Sequence, residues 1–539
     1  MKDFKKISKY IFFAINSLLA GFGFILFHKV FLDNINSDLP FFSALRIILF
    51  ISISCSMFLI FSICSLGEKR KKIEYFIEKT GKHPLTFVVL LSFVFRILYF
   101  SRIPRTFIIY YDTKTYTDYP FNIFLGETDI FRTPGYPYFL KAIHYITRIF
   151  ENDVWFYEKV SIFQIVISLA SLVLLYLAGR KLFSNKYILS ACVLVCGIAP
   201  SVFNWDIIIL TESISLFVTV LLIYLVFTYL AQPKFYLAII IGLYAIVMIM
   251  IRPTFIYILA ILAVFFIAKI IFNAKERKKA LAGLLSVALS VLTVLGYCGL
   301  NYKNYDYFTV SSVSNTVNNL YIVMVNGWYD NEDYPELSKY ISDGIEYGNG
   351  NWITDIIEVA PDYYSYPEID AYVSDCLKKH NDEYLTYTLN KFKYNLDTPV
   401  PTNYIPIEEQ STVKVPILNK EFNFKEFSDF LLKWTFPFDF LRCFVLVGVS
   451  LILAVLVLII KKRIMWQVVG LCAIIFSHIF VSIFGSMAEY SRLSIMVVPA
   501  VLLLVFYYFD YIVSAIKHKK LFYLTNNNSS AIRVKKESD

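Results

Sequence analysis

The stretch YYDTKTYTDYPFNIFLGETDIFRTPGYPYFL, Tyr110–Leu140, carries four acids (Asp112, Asp118, Glu127, Asp129), one arginine (Arg132) set against Pro-Gly, and aromatic residues spaced through polar ground. Apolar runs precede and follow it, so it reads as a loop joining two membrane helices. The whole chain supports that reading. Hydrophobic residues make up 57% of 539, charged residues 17%, and mean hydropathy is +0.58, whereas soluble domains carry about a quarter charged residues. Several runs reach the roughly 20 residues that a spanning helix needs. Open sheet is excluded at that depth, because lipid satisfies no backbone hydrogen bond.

The expected fold is therefore an all-α polytopic membrane protein of about twelve transmembrane helices. The runs lie at 10–27, 41–66, 85–102, 156–178, 187–204, 207–230, 235–251, 254–272, 281–300, 439–460, 464–485 and 493–515. The basic N-terminal segment leads into an apolar stretch too long for a signal peptide, with no small-residue cleavage site after it, and reads as a retained helix. The basic clusters KRKK (69–72), GRK (179–181), KERKK (275–279), KKR (461–463) and KHKK (517–520), with KDFKK near the N-terminus, all fall on one side of this arrangement. The positive-inside rule makes that side cytoplasmic. Both termini are then cytoplasmic, the Tyr110–Leu140 loop is extracytoplasmic, and the expected location is the cell (plasma) membrane. The net charge of +9 is accounted for by loops facing anionic lipid, so nucleic acid is not an expected partner.

The expected organisation is a two-helix extension (1–82), a membrane module (83–301) whose outer loop spans 103–155, an extracytoplasmic domain (302–437), C-terminal membrane helices (438–520) and a disordered tail (521–539). The 302–437 segment holds about twice as many acidic as basic residues. Its GWYDNEDYPELSKY and PDYYSYPEIDAY stretches are rich in aromatic residues, which argues for a small mixed domain rather than disorder. The cysteines offer no disulfide framework: Cys55, Cys64, Cys192, Cys196, Cys298, Cys443 and Cys472 fall in or beside apolar runs, and Cys376 stands alone outside. Cys192 and Cys196, one helical turn apart, read as packing.

Charged residues at the extracytoplasmic helix ends are the candidates for chemistry, since ionisable groups at membrane depth are costly and mark sites or pathways. Asp112, beside the bilayer, suits a general base towards a hydroxyl; a helix cap or a solvated loop acid is the plain alternative. Asp118, Glu127 and Asp129 compete with it. Glu212, in DIIILTES, is an acid near the start of an apolar run, either at a site or paired with an arginine. Arg132, Arg252 (in IRPTF) and Arg492 (in AEYSRLS) present guanidinium forks suited to phosphate oxygens, or else snorkel to the interface. His478 and Arg96 read as structural.

Taken together, these segments resemble integral-membrane glycosyltransferases of the C superfamily, and within it the protein mannosyltransferase and aminoarabinose-transferase group. The likeness rests on Asp112, Tyr116 and Arg132-Thr-Pro-Gly-Tyr-Pro137 in the loop, on LTES, MIRPT and NYKNYDYFTVSS, and on EYSRLSIMVVPAVLLL. It covers roughly residues 85–515 and lacks the Asp-Glu pair that many relatives carry, having Asp112-Thr113 instead. The resemblance implies a polyprenyl-phosphate sugar donor, and a lipid, glycan or protein acceptor. It implies Asp112 and Glu212 as catalytic acids, with donor contacts from Arg132, Arg252, Arg492, Tyr116, Tyr136, Glu489 and Tyr490. No cofactor is expected and no metal is assigned, although Asp118 and Glu127 leave a divalent ion open. Two rivals remain: a lipid transporter or flippase, which would place its charges near the midplane, and a polysaccharide polymerase.

Overall fold

A computed structural model describes residues 84–100, 112–119, 126–147, 149, 154–313, 317–347, 356, 360, 363–400, 412–415, 420–423, 438–485 and 490–518. The chain divides into two compact units, 1–104 with 406–430, and 105–405 with 431–539. In the first, the described residues are the apolar helix Pro84–Phe100 and an antiparallel hairpin of Thr412–Val415 and Lys420–Asn423. Arg96 is buried in that helix and donates to the Ser92 carbonyl (3.2 Å). The candidate site and the elements that build it lie in the second unit.

Among the described residues, seven helices are long and apolar enough to cross a membrane, eight if the bent pair Lys186–Ile198 and Pro200–Asp206 is one span; Pro84–Ile97 and Phe235–Ile251 are shorter apolar helices. The protein is an all-α membrane protein. The expected runs at 10–27 and 41–66 lie outside the described residues. The expected run 187–204 is not one straight helix. Ala199 is extended (ψ 112°) before Pro200, and the chain bends by 56° there, because a residue preceding proline is driven out of the helical region. The expected run 207–230 begins as a helix only at Glu212. The unwound 206–209 carbonyls are taken by side chains: Gln164 Nε2 donates to Asp206 (3.1 Å) and Ile208 (2.7 Å), Ser161 Oγ to Ile207 (2.8 Å) and Thr113 Oγ1 to Ile209 (3.1 Å). A backbone stripped of its helical partners at this depth needs such substitutes. NYKNY (301–305) is not loop but the last turn of Arg277–Tyr305, closed by Asp306 in the left-handed region (φ 53°).

Small residues set the closest helix approach. A Cβ on Gly242 would sit 2.8 Å from the Gly283 carbonyl, and one on Gly283 would sit 2.4 Å from the Phe266 ring. Ser290 Oγ adds a hydrogen bond to the Gly242 carbonyl (2.8 Å), the mode of contact membrane helices use in place of a hydrophobic drive.

Four further helices, Asn318–Val325, Pro335–Tyr347, Tyr366–Lys379 and Asn381–Asn395, follow the long helix. Leu320, Val323, Ile341, Ile369, Tyr372 and Cys376 are buried in a core shared by the first three of them. A capping box between Ser365 and Glu368 starts the third of them. Phe392 of Asn381–Asn395 stacks on Phe484 (6.0 Å, 7°) and meets Phe444 (5.8 Å), fixing that helix to the ends of two membrane helices. Cys192, Cys196, Cys298, Cys376, Cys443 and Cys472 are free and buried; Cys55 and Cys64 lie outside the described residues.

Candidate active site

Five charged side chains meet where several membrane helices begin or break. Arg132 Nη2 lies 3.0 Å from Asp112 Oδ1, and Arg492 Nη2 lies 3.5 Å from Asp112 Oδ2. Arg492 Nε is 3.2 Å from Glu212 Oε1, and Arg252 Nη2 is 3.5 Å from the same oxygen. The row runs Arg132, Asp112, Arg492, Glu212, Arg252. Its Glu212 end is buried and its Asp112 end is half-exposed.

Local sequence explains each position. Asp112 precedes the short Thr113–Thr117 helix, which Thr113 pins to the unwound Ile209 carbonyl. Glu212 is the first residue of Glu212–Ala231, where the helix dipole favours a carboxylate. Arg252 is extended (φ −151°, ψ 116°) between Ile251 and Pro253, at a break that proline enforces. Arg492 lies on the single turn Tyr490–Leu493, followed by the 3-10 turn Ser494–Val497 and the helix Val498–His518.

Arg132 is held by a clamp. Asn304 Nδ2 donates to the Gly126 carbonyl (2.7 Å) and to Thr128 Oγ1 (2.9 Å). The Ser312 N–H donates to Ile130 (2.9 Å) and Ser311 Oγ to Phe131 (2.7 Å). Gly135 completes the placement: a Cβ there would lie 2.5 Å from the Met250 carbonyl, so only glycine lets the TPGYP turn close on the Met250–Ile251 backbone. The Arg132 guanidinium covers the Tyr116 ring at 4.6 Å, and its Nε donates to Thr115 Oγ1 (2.7 Å).

Electrostatics distinguish Asp112 from the other loop acids. Burial pushes its carboxyl up, but the Arg132 and Arg492 guanidinium groups outweigh that and hold it below the usual carboxylate range. Burial raises Asp129 instead. Asp129 Oδ1 accepts the backbone N–H of Phe131 (2.6 Å) and Arg132 (3.0 Å), so it shapes the loop rather than facing the row. Asp118 and Glu127 are exposed.

The structure thus brings together Asp112, Arg132, Glu212, Arg252, Arg492 and Tyr116. Tyr136 lies one layer behind: its ring meets Tyr116 edge-on (5.0 Å) and its hydroxyl is committed to Gln164 Oε1 (2.7 Å). Tyr490 faces elsewhere, with Lys391 Nζ 5.4 Å over its ring, because residues two apart on a helical turn do not share a face. Glu489 lies outside the described residues. Arg252 Nη1, Thr254 Oγ1 and Glu212 Oε2 are buried with no hydrogen-bond partner among the described residues. Among those residues, no group of three or more His, Cys, Asp or Glu is placed to hold a metal ion.

Fold and site define a polytopic helical membrane protein with a buried row of alternating charges where its helices break. No protein-family model and no curated protein matches the chain. Three solved structures of the oligosaccharyltransferase of Archaeoglobus fulgidus are similar to it. They are a complex of AglB with an inhibitory peptide and a dolichol-phosphate (TM-score 0.43, 12% identity, 81% of this chain and 51% of that one), the apo form (0.42, 13%, 81% and 52%), and a form tethered to an acceptor peptide (0.41, 13%, 82% and 50%). The chain spans about half the length of these proteins.

Proposed function

We propose that the protein is an inverting glycosyltransferase that moves a sugar from a polyprenyl-phosphate-linked donor to an acceptor hydroxyl. The observation that carries this reading is the charge row. Three guanidinium groups face two carboxylates in it, leaving one net positive charge, the complement of a single phosphodiester. Burying so many ions costs folding energy that mutual pairing at best offsets. Such an arrangement is better accounted for by a ligand than by stability.

In the proposed step, Arg492 and Arg252 hold the donor phosphate, and Arg252 Nη1 and Thr254 Oγ1 supply donors to its oxygens. Glu212 keeps both guanidinium groups aimed. The phosphate draws Arg492 away from Asp112 Oδ2, which frees that oxygen to act as a base; Arg132, on its Tyr116 platform, keeps Asp112 oriented. The acceptor oxygen attacks the anomeric carbon as Asp112 takes its proton. The bond from that carbon to the phosphate oxygen breaks, the electron pair leaves with polyprenyl phosphate, and configuration inverts. A phosphate is a good leaving group, so no general acid is required, and the step uses no metal.

In this reading, which the positive-inside pattern of the basic clusters supports, the site faces the extracytoplasmic side of the plasma membrane and both termini are cytoplasmic. On the same reading the lipid tail of the donor lies in the bilayer, and the helices between residues 317 and 395 help to select a lipid, glycan or protein acceptor. The experiment that tests the reading is incubation of the purified protein with a panel of polyprenyl-phosphate sugars. Release of free polyprenyl phosphate is expected from at least one. A transporter or flippase would leave every donor intact, and a polymerase would extend only donors carrying whole repeat units.

A further inference from the structure

His478 is buried in the Trp466–Phe484 helix, and both ring nitrogens are engaged. Nε2 lies 2.8 Å from the Leu493 carbonyl oxygen and Nδ1 lies 2.9 Å from the Tyr257 hydroxyl. A carbonyl only accepts, so Nε2 carries the proton and Nδ1 accepts from the Tyr257 O–H. The Phe255 ring lies against the imidazole at 5.6 Å, tilted by 31°. A buried histidine with both nitrogens satisfied would ordinarily be read as packing.

Its two partners argue otherwise. Leu493 follows Arg492 and ends the single turn on which that arginine sits. Tyr257 opens the helix that follows the Arg252–Pro253 break. One rigid ring therefore ties together the two interruptions that deliver Arg252 and Arg492 to the same oxygen of Glu212, at 3.5 and 3.2 Å. The imidazole spans the two breaks with one donor and one acceptor, and it does so without adding charge beside two guanidinium groups.

We propose that His478 is a positioning residue: it sets the separation of the Arg252 and Arg492 guanidinium groups so that both close on one phosphate. Only the identity of the anion rests on the function proposed above; the tie itself does not.

The test uses the full-length protein in detergent and measures binding of a polyprenyl monophosphate, together with melting temperature and steady-state kinetics. His478→Ala should weaken binding by about ten- to a hundredfold, since displacement of a positioned group by about 1 Å can cost 10²-fold. The loss should appear in KM for the donor more than in kcat. His478→Gln, whose amide N–H can donate to Leu493 and whose oxygen can accept from Tyr257, should recover most of it. Tyr257→Phe, a milder change that removes one bond, should give a smaller loss in the same direction. In an Arg492→Ala background, His478→Ala should cause much less than its full loss of binding, because one of the two groups whose separation it sets is gone. Full multiplication of the two losses, or a lowered melting temperature with unchanged binding, would overturn the proposal. The histidine tautomer, read from ring 15N shifts, separates this idea from the ligand assignment. Failure of the wild-type protein to bind polyprenyl phosphate would sink the ligand, whereas an Nδ1–H tautomer would sink the tie whatever the ligand is.

Discussion

Replacing Asp112 by asparagine should lower turnover at least about a hundredfold while the donor still binds, since general-base catalysis contributes typically 10²–10⁴-fold. Asparagine keeps the shape and still accepts a hydrogen bond from Arg132, but it cannot take the acceptor's proton. Asp118→Asn and Glu127→Gln, at exposed positions, serve as controls and should stay near wild type. The pH profile gives an independent reading. Arg132 and Arg492 outweigh the effect of burial and hold Asp112 below the usual carboxylate range. Its active, deprotonated form should therefore persist through the range in which an ordinary carboxylate takes up its proton, with an acid limb in kcat/KM only below that range. The stability that the ion pairs contribute has the same sign: it is present above the unfolded value of about 3.9 and is lost as pH falls through the lower folded value. Arg132→Gln removes the largest lowering influence, so the acid limb should move to higher pH. Near-wild-type turnover in Asp112→Asn would remove Asp112 from the base role.

Arg492→Ala should be the most damaging of the arginine changes, because of the three arginines in the row only Arg492 reaches both Asp112 and Glu212. A charge-assisted contact is worth roughly 1.5–3 kcal/mol, which is about ten- to a hundredfold in kcat/KM. Losing the phosphate contact and the pairing with Glu212 together should reach the upper end of that range or beyond it. Arg492→Lys should recover little, since a single ammonium group cannot serve the Glu212 carboxylate and a phosphate together as the planar fork does. Arg252→Ala should act mainly through donor KM. Removing one partner of a buried ion pair can also destabilise by about 3–5 kcal/mol, so melting temperature must be measured alongside the kinetics. Unchanged kinetics in both alanine variants at normal expression would return these arginines to the role of interfacial anchors.

Much of this site was legible in the sequence because ionisable residues are expensive in apolar runs. Glu212, Arg252 and Arg492 announced themselves that way, and Pro253 beside Arg252 marked a break. The loop acids were harder. Asp112 and Asp129 look alike along the chain, and only the fold shows that Asp129 spends its carboxylate on the N–H groups of Phe131 and Arg132. Gln164 and Ser161 gave no signal, since neutral polar residues in a membrane helix are common and the carbonyls they serve lie more than forty residues away. The start of the sixth expected span was misplaced for the same reason. The apolar run IIIL continues through the unwound segment 207–210, and hydropathy does not register who satisfies a backbone carbonyl. The resemblance groups Tyr490 with Arg492, but helical geometry turns it towards Lys391. NYKNY falls just beyond the expected run 281–300, yet it is the turn of helix whose Asn304 grips the segment before Arg132.

The most direct measurement is the anomeric configuration of the transferred sugar, determined by NMR on product made by the purified wild-type protein from a polyprenyl-phosphate sugar of defined configuration. A single displacement at the anomeric carbon, with Asp112 as base and the lipid phosphate leaving from the opposite face, predicts an inverted product. A product that keeps the donor's configuration would contradict that chemistry, and so would a protein that leaves all such donors uncleaved.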